Sequence, residues 1–197
     1  MKSRIKKLLA AALALCLIAA MVPGAALAAD TGNFSTPTKG SPNTPYYHET
    51  LSEALSYIDS FDAKNKIVTV VADSVEISSD INNNSVKLVV PKGKAINISS
   101  NVTINAAIEL NGSMNVASGR TATINGTLEG SGTIVAASDP NGTKGGTLSA
   151  TGDISNSIDI SVGEYAEVTL PSNYELGGTL SVAEYATAKV YGETLDV

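Results

Sequence analysis

Apolar residues recur along this chain at two different periods. Leu51, Ala54, Leu55 and Ile58 lie three or four positions apart, which predicts one short amphipathic helix. Thr50-Leu-Ser-Glu53 at its start fits a capping box, in which the Thr hydroxyl and Glu carboxylate satisfy amide groups left free by the first turn. From Ile67 onward the period drops to two. Ile67-Val-Thr-Val-Val71, Val75-Glu-Ile77, Lys87-Leu-Val-Val90 and Ala95-Ile-Asn-Ile98 begin a long series of short β-branched runs. These runs alternate apolar residues with Ser, Thr or Asn and are separated by Gly and Asn. No helical pattern interrupts Val75 to Val197, which argues against a βαβ enzyme fold. A helix of this length makes no domain, so it is expected to cover the end of the β structure, with Leu51, Leu55 and Ile58 over the first apolar layer.

The first 28 residues carry the pattern of an export signal. Met1 to Lys7 is basic, Leu8 to Val22 is apolar, and Pro23-Gly24 breaks the segment. Ala26 and Ala28 supply the small residues that signal peptidase recognises, with Ala29 as the new N-terminus. The apolar core is about 15 residues, short of the roughly 20 needed to span a membrane. Residues 29–48 are rich in Thr, Gly, Ser, Asn and Pro and read as a flexible leader, with residues 49–197 as the folded domain.

The β region repeats itself. Val90-Pro-Lys-Gly-Lys-Ala-Ile-Asn-Ile98 aligns with Val116-Ala-Ser-Gly-Arg-Thr-Ala-Thr-Ile124. The same frame returns as Val162-Gly-Glu-Tyr-Ala-Glu-Val-Thr-Leu170 and Val182-Ala-Glu-Tyr-Ala-Thr-Ala-Lys-Val190. Successive copies are offset by 26, 46 and 20 residues, and Leu110–Val116 echoes Leu128–Ile134 at 18. A period in that range with several strands per repeat is what a parallel β-solenoid requires. The stretch from Asp139 to Gly146 then reads as an insertion at one corner. These repeats, the capped helix and the strand at Ile67–Val71 resemble right-handed parallel β-helix proteins of the pectin-lyase-like superfamily, and most of all its adhesin-type secreted bacterial members. The expected architecture is all-β, a solenoid of about five or six turns; a β-sandwich is the alternative, though it needs no stackable repeats. The resemblance implies either polysaccharide lyases and hydrolases or non-catalytic surface stalks.

Charge and candidate chemistry narrow this choice. Removal of Lys2, Arg4, Lys6 and Lys7 with the signal leaves nine basic against 19 acidic side chains, a net charge of −10 that disfavours nucleic-acid binding. The only Cys, Cys16, lies in the signal, so the exported chain has no thiol chemistry. Stacking the repeats places Glu164 over Glu184, near the spacing of a retaining glycosidase pair, but every stacked position of a solenoid has that spacing and both corners are solvated. Arg120 falls over Lys94, His48 has no nucleophile in recognisable context, and Asp139-Pro-Asn-Gly lacks the further acids of a calcium loop. No catalytic residue, metal site or cofactor is therefore expected. Tyr165 and Tyr185 occupy equivalent corners and are expected to form a small aromatic ladder on the surface, while Thr121-Ala-Thr123 finds no matching Thr pairs in the aligned copies. The expected function is a secreted, non-enzymatic β-helix acting as a surface adhesin, stalk or matrix-interaction module. The alternative is a polysaccharide-binding or polysaccharide-cleaving protein. Expected partners are surface glycans or another protein, without stable membrane insertion, and with end-to-end self-association through the C-terminal turn.

Overall fold

Alternation of apolar and polar side chains becomes, in the computed structural model, a right-handed parallel β-helix of about six turns. The structure describes residues 32–62 and 66–190, together with the backbone of 193–194. The chain enters through β1 (Phe34–Thr38), β2 (Ser41–His48) and helix α1 (Leu51–Ile58). β3 (Ile67–Val70) and β4 (Ser74–Ile77) make the first turn; β5 (Lys87–Val90), β6 (Ala95–Ile98) and β7 (Val102–Ile104) the second. The third turn is β8 (Ala107–Leu110), β9 (Ser113–Val116) and β10 (Thr121–Ile124), and the fourth β11 (Leu128–Glu129), β12 (Thr133–Ala136) and β13 (Thr147–Ala150). β14 (Asp159–Val162) and β15 (Glu167–Leu170) lie in the fifth, β16 (Leu180–Val182) and β17 (Thr187–Val190) in the sixth, and β18 (Glu193–Thr194) turns back antiparallel on β17.

These strands form three sheets. The first runs β11-β8-β5-β3-β1-β2, the second β16-β14-β12-β9-β6-β4, and the third β18-β17-β15-β13-β10-β7. Equivalent side chains stack about 4.8 Å apart. Along one core column Ile96 sits on Met114, Met114 on Ile134 and Ile134 on Ile160, all buried. Each such side chain contributes about 1.5–3 kcal/mol by leaving water. Parallel sheets are normally covered on both faces and read as unbroken apolar runs. Here the outer face meets solvent, so the alternation survives, and small polar residues fill the outward positions.

Register corrects the reading of the repeats. Paired residues on neighbouring turns are 20 apart along most of the stack, as in Thr103 with Thr123 and Val162 with Val182, and 26 apart where Ala136 meets Val162. The offset of 46 is therefore two turns, one of them carrying the insertion. The offset of 26 between Val90 and Val116 is not a turn. Val90 precedes the corner from the first sheet to the second, whereas Val116, Val162 and Val182 precede the corner from the second to the third. Arg120 and Lys94 thus occupy different corners and do not stack. The echo at 18 is a slip by two: Ser113 pairs with Thr133 and Met114 with Ile134, and such a slip leaves every side chain on its own face.

The flexible leader is also corrected for its later part. Residues 34–48 form a β-hairpin, because β3 would otherwise present an open sheet edge. β1 pairs antiparallel with both β2 and β3, setting Phe34 opposite Val70, and Phe34, Thr36 and His48 are buried. Pro42 and Pro45 lie in β2, the outermost strand of that sheet, where the missing amide donors discourage further pairing. The capping box forms as expected. Glu53 N donates to Thr50 Oγ1 and Thr50 N to Glu53 Oε2, each at 3.2 Å, with Ala54 and Ile58 fully buried. Leu51 and Leu55 pack against the core while half-buried.

Candidate functional site: the aromatic corner and the capped end

Corners between the second and third sheets hold most of the unusual chemistry. Three of them are four-residue turns closed by a backbone hydrogen bond: Arg120 N to Ala117 O, Ala166 N to Gly163 O, and Ala186 N to Ala183 O. The third residue of such a turn adopts positive φ, a conformation suited to glycine. Gly119 takes it at φ 69°, but Tyr165 and Tyr185 take it at 59° and 61°. A side chain in this region costs about 1–2 kcal/mol per residue. The two rings stack with centroids 5.3 Å apart and planes 12° from parallel. An aromatic pair returns about 0.5–1.5 kcal/mol beyond the area it buries, which offsets part of that strain. Conformational strain of this kind concentrates at functional sites, which makes this corner a candidate.

The insertion supports this corner from below. Residues 137–146 replace four corner residues with ten. At their centre the Asp139 carboxylate, on a residue only 6% exposed, accepts hydrogen bonds from Asn141 N, Thr143 N, Thr143 Oγ1 and Lys144 N at 2.6–3.0 Å. The Thr143 hydroxyl and these backbone amides hold its pKa far below the usual carboxylate range. The stretch is thus a tightly bonded structural loop, not a plain turn, and its acceptor oxygens are already engaged. Gly145 N donates to Tyr165 O at 2.8 Å, and Gly142 lies so close to the Tyr165 ring that a Cβ there would sit 3.3 Å from Cζ. One face of Tyr165 thus rests on the loop, the other on Tyr185, which is 66% exposed. A hydrogen bond to Glu184 and the charge of Glu164 raise the Tyr185 pKa. Glu164 and Glu184 are both exposed.

Beside this corner, the outward face of the third sheet carries two columns that the misread register had hidden. One contains Thr121, Thr147, Glu167 and Thr187; the other Thr103, Thr123, Ser149, Thr169 and Lys189. The expected absence of a hydroxyl ladder is therefore corrected, since Thr121 and Thr123 stack on Thr147 and Ser149 and not on Ala95 and Asn97. The two charged members neutralise each other, Lys189 Nζ lying 2.6 Å from Glu167 Oε1. None of the hydroxyls in these columns bonds to another described residue. Asparagines elsewhere behave differently: Asn115 donates to Asn97 at 2.9 Å, and Asn125 to Asn105 at 2.9 Å, satisfying one another along the stack.

A second concentration of aromatic residues lies at the capped end. Tyr46 and Tyr57 stack with centroids 4.8 Å apart, and His48 touches both at 5.1 Å. With Glu49 and Glu53 they line a cleft of about 510 Å³. His48 Nε2 and Thr36 Oγ1 share a hydrogen bond of 2.9 Å; burial lowers the histidine pKa, opposed by the charge of Glu53. The sequence reading left His48 without a role because two of its partners, Thr36 and Tyr46, come from residues assigned to the leader. Ala26 and Ala28 lie outside the described residues. Among the described residues no group of three or more His, Cys, Asp and Glu is placed to hold a metal, and no helix is long and apolar enough to cross a membrane. The chain matches no family model, no curated protein and no solved structure at a significant level.

Proposed function

We propose that this chain is a secreted, non-enzymatic interaction module of the adhesin or stalk type within a pectin-lyase-like architecture, binding surface glycans or another protein through the aromatic corner. The carrying observation is that Tyr165 and Tyr185 stand at two positive-φ positions suited to glycine, stacked on one another with Tyr185 exposed. Selection for contact explains two aromatic rings held outward at that position; selection for stability favours glycine. The neighbouring hydroxyl columns, half-buried on the outward face of the third sheet, adjoin this surface. The test is adhesion of the exported protein to immobilised cells and extracellular matrix, comparing wild type with Tyr185→Gly. The substitution restores the residue type found at 119, so thermal stability is held or raised while adhesion falls at least severalfold. Unchanged adhesion removes the corner from the reading, and release of sugar fragments from matrix polysaccharides replaces the non-enzymatic reading with its lyase or glycosidase alternative.

A further inference from the structure

We propose that the cleft between β2 and α1 is a binding site for an organic ammonium cation, such as a quaternary trimethylammonium group. Three observations independent of the aromatic corner support this site. First, its lining is aromatic: Tyr46 and Tyr57 are stacked at 4.8 Å, which leaves only their outer faces for a ligand, His48 lies 5.1 Å from both, and half of Tyr46 remains open to solvent. Aromatic faces carry negative electrostatic potential and attract cations lying within about 6 Å of the ring centroid. Second, Glu49 and Glu53 stand at the rim, and among the described residues neither forms an ion pair with a lysine or arginine. Glu53 is held in place because its carboxylate accepts from the backbone amides of Glu49 and Thr50 at 3.2 Å. Third, no Lys or Arg lines the cleft. Burial lowers the His48 pKa, which favours its neutral form, and Lys39, whose backbone N donates to the Tyr57 hydroxyl, turns its Nζ to Ser60 Oγ at 3.4 Å.

An aromatic lining with an anionic rim selects for charge and apolar surface in the same ligand. Sodium has the charge without the apolar surface, and a neutral alcohol the reverse. A trimethylammonium group has both, whether it belongs to a lipid or polymer headgroup or to a methylated lysine side chain.

His48 is the only histidine in the chain, so its imidazole proton resonances report on this cleft without ambiguity. The experiment titrates choline, tetramethylammonium chloride and the neutral choline analogue 3,3-dimethylbutan-1-ol into the full exported protein at pH 7.5 and follows those resonances. Choline and tetramethylammonium are expected to shift them saturably, with the neutral analogue and sodium chloride having no comparable effect. Glu49→Gln should weaken choline binding about two- to fivefold with thermal stability unchanged, and Tyr46→Leu by a similar factor with the small loss of stability that follows from its stack on Tyr57. Phosphatidylcholine vesicles and a trimethyllysine peptide then distinguish the two sources, and saturable binding of either supports the site. Equal response to the neutral analogue, undiminished binding in Tyr46→Leu, or no saturable shift with any cation overturns the proposal. None of these outcomes bears on the aromatic corner, which lies on later turns.

Discussion

The two ends of the solenoid solve the same problem to different degrees. At the first turn Phe34, Ala54 and Ile58 close over the core, and β1 and β2 extend the first sheet to a strand that carries two prolines. At the last described turn β18 pairs antiparallel with β17. Among the described residues the second sheet ends at β16, and its core-facing Leu180 and Val182 are half-buried, while Ile160 and Val162 one turn earlier are buried. A solenoid turn is stabilised mainly by the apolar surface it buries against its neighbours, so a turn whose core positions are half-buried is the weaker. The contrast implies that local stability declines toward the C-terminal turn and that the strained tyrosines lie in this weaker half. End-to-end association through the last turn remains our proposal for the half-covered layer.

The largest effect should come from truncating the sealed end. Phe34→Ala removes a buried aromatic from the first core layer and is expected to cost about 3–5 kcal/mol, whereas Leu180→Ala at the other end should cost about 1 kcal/mol because that side chain is already half in water. Denaturant titration of both variants measures the contrast, and equal losses would break it. Next is Asp139→Asn, which leaves amides facing a weaker acceptor and should lower Tm by several degrees, with earlier amide exchange at Thr143 and Lys144. Because the folded pKa of Asp139 is depressed, its stabilising effect is present above the ordinary carboxylate range and is lost as pH falls through and below about 4. In the variant that acid limb should flatten.

A smaller gain is expected from Tyr174→Phe. Among the described residues the buried Tyr174 hydroxyl has no hydrogen-bond partner, and burial with the charge of Asp159 raises its pKa. Removing the hydroxyl should stabilise the weaker end by about 1 kcal/mol, and a loss of stability would show that the oxygen is satisfied. The smallest effect is a pH dependence at the sealed end. The folded His48 pKa is lowered, so the unfolded chain takes up the proton first, and the stability it confers is present above about 6.5 and lost as pH falls below that value. Amide exchange at Val71 and Ala72, which bond to Asn33 O, should therefore quicken between pH 7 and 5 in wild type but not in His48→Gln.

Much of the fold was legible in the sequence because its signals are local. Thr50 and Glu53 are three residues apart, so their reciprocal hydrogen bonds follow from spacing alone. Alternation along Ile96, Asn97 and Ile98 settles which side chains face inward whatever the neighbouring strand. The stacking of Tyr165 and Tyr185 was also legible, since both copies of that corner share one sequence frame and one turn length. The hydroxyl columns were not, because turns that differ by six residues defeat a search for one constant period. A frame repeated at two different corners also looks the same in sequence.

The sequence by itself determined the period-two strands, the short capped helix, the inward-facing residues and the stacked corner tyrosines, all of which depend on spacings of a few residues. Only the tertiary structure decided that Phe34 to His48 joins the sheet, that Thr121 stacks on Thr147, and that Tyr46, Tyr57 and His48 meet Glu49 and Glu53 in one cleft. Those outcomes depend on which free edge a distant segment reaches and in what register. A register shift of two residues leaves the apolar pattern intact while changing every partner on the surface.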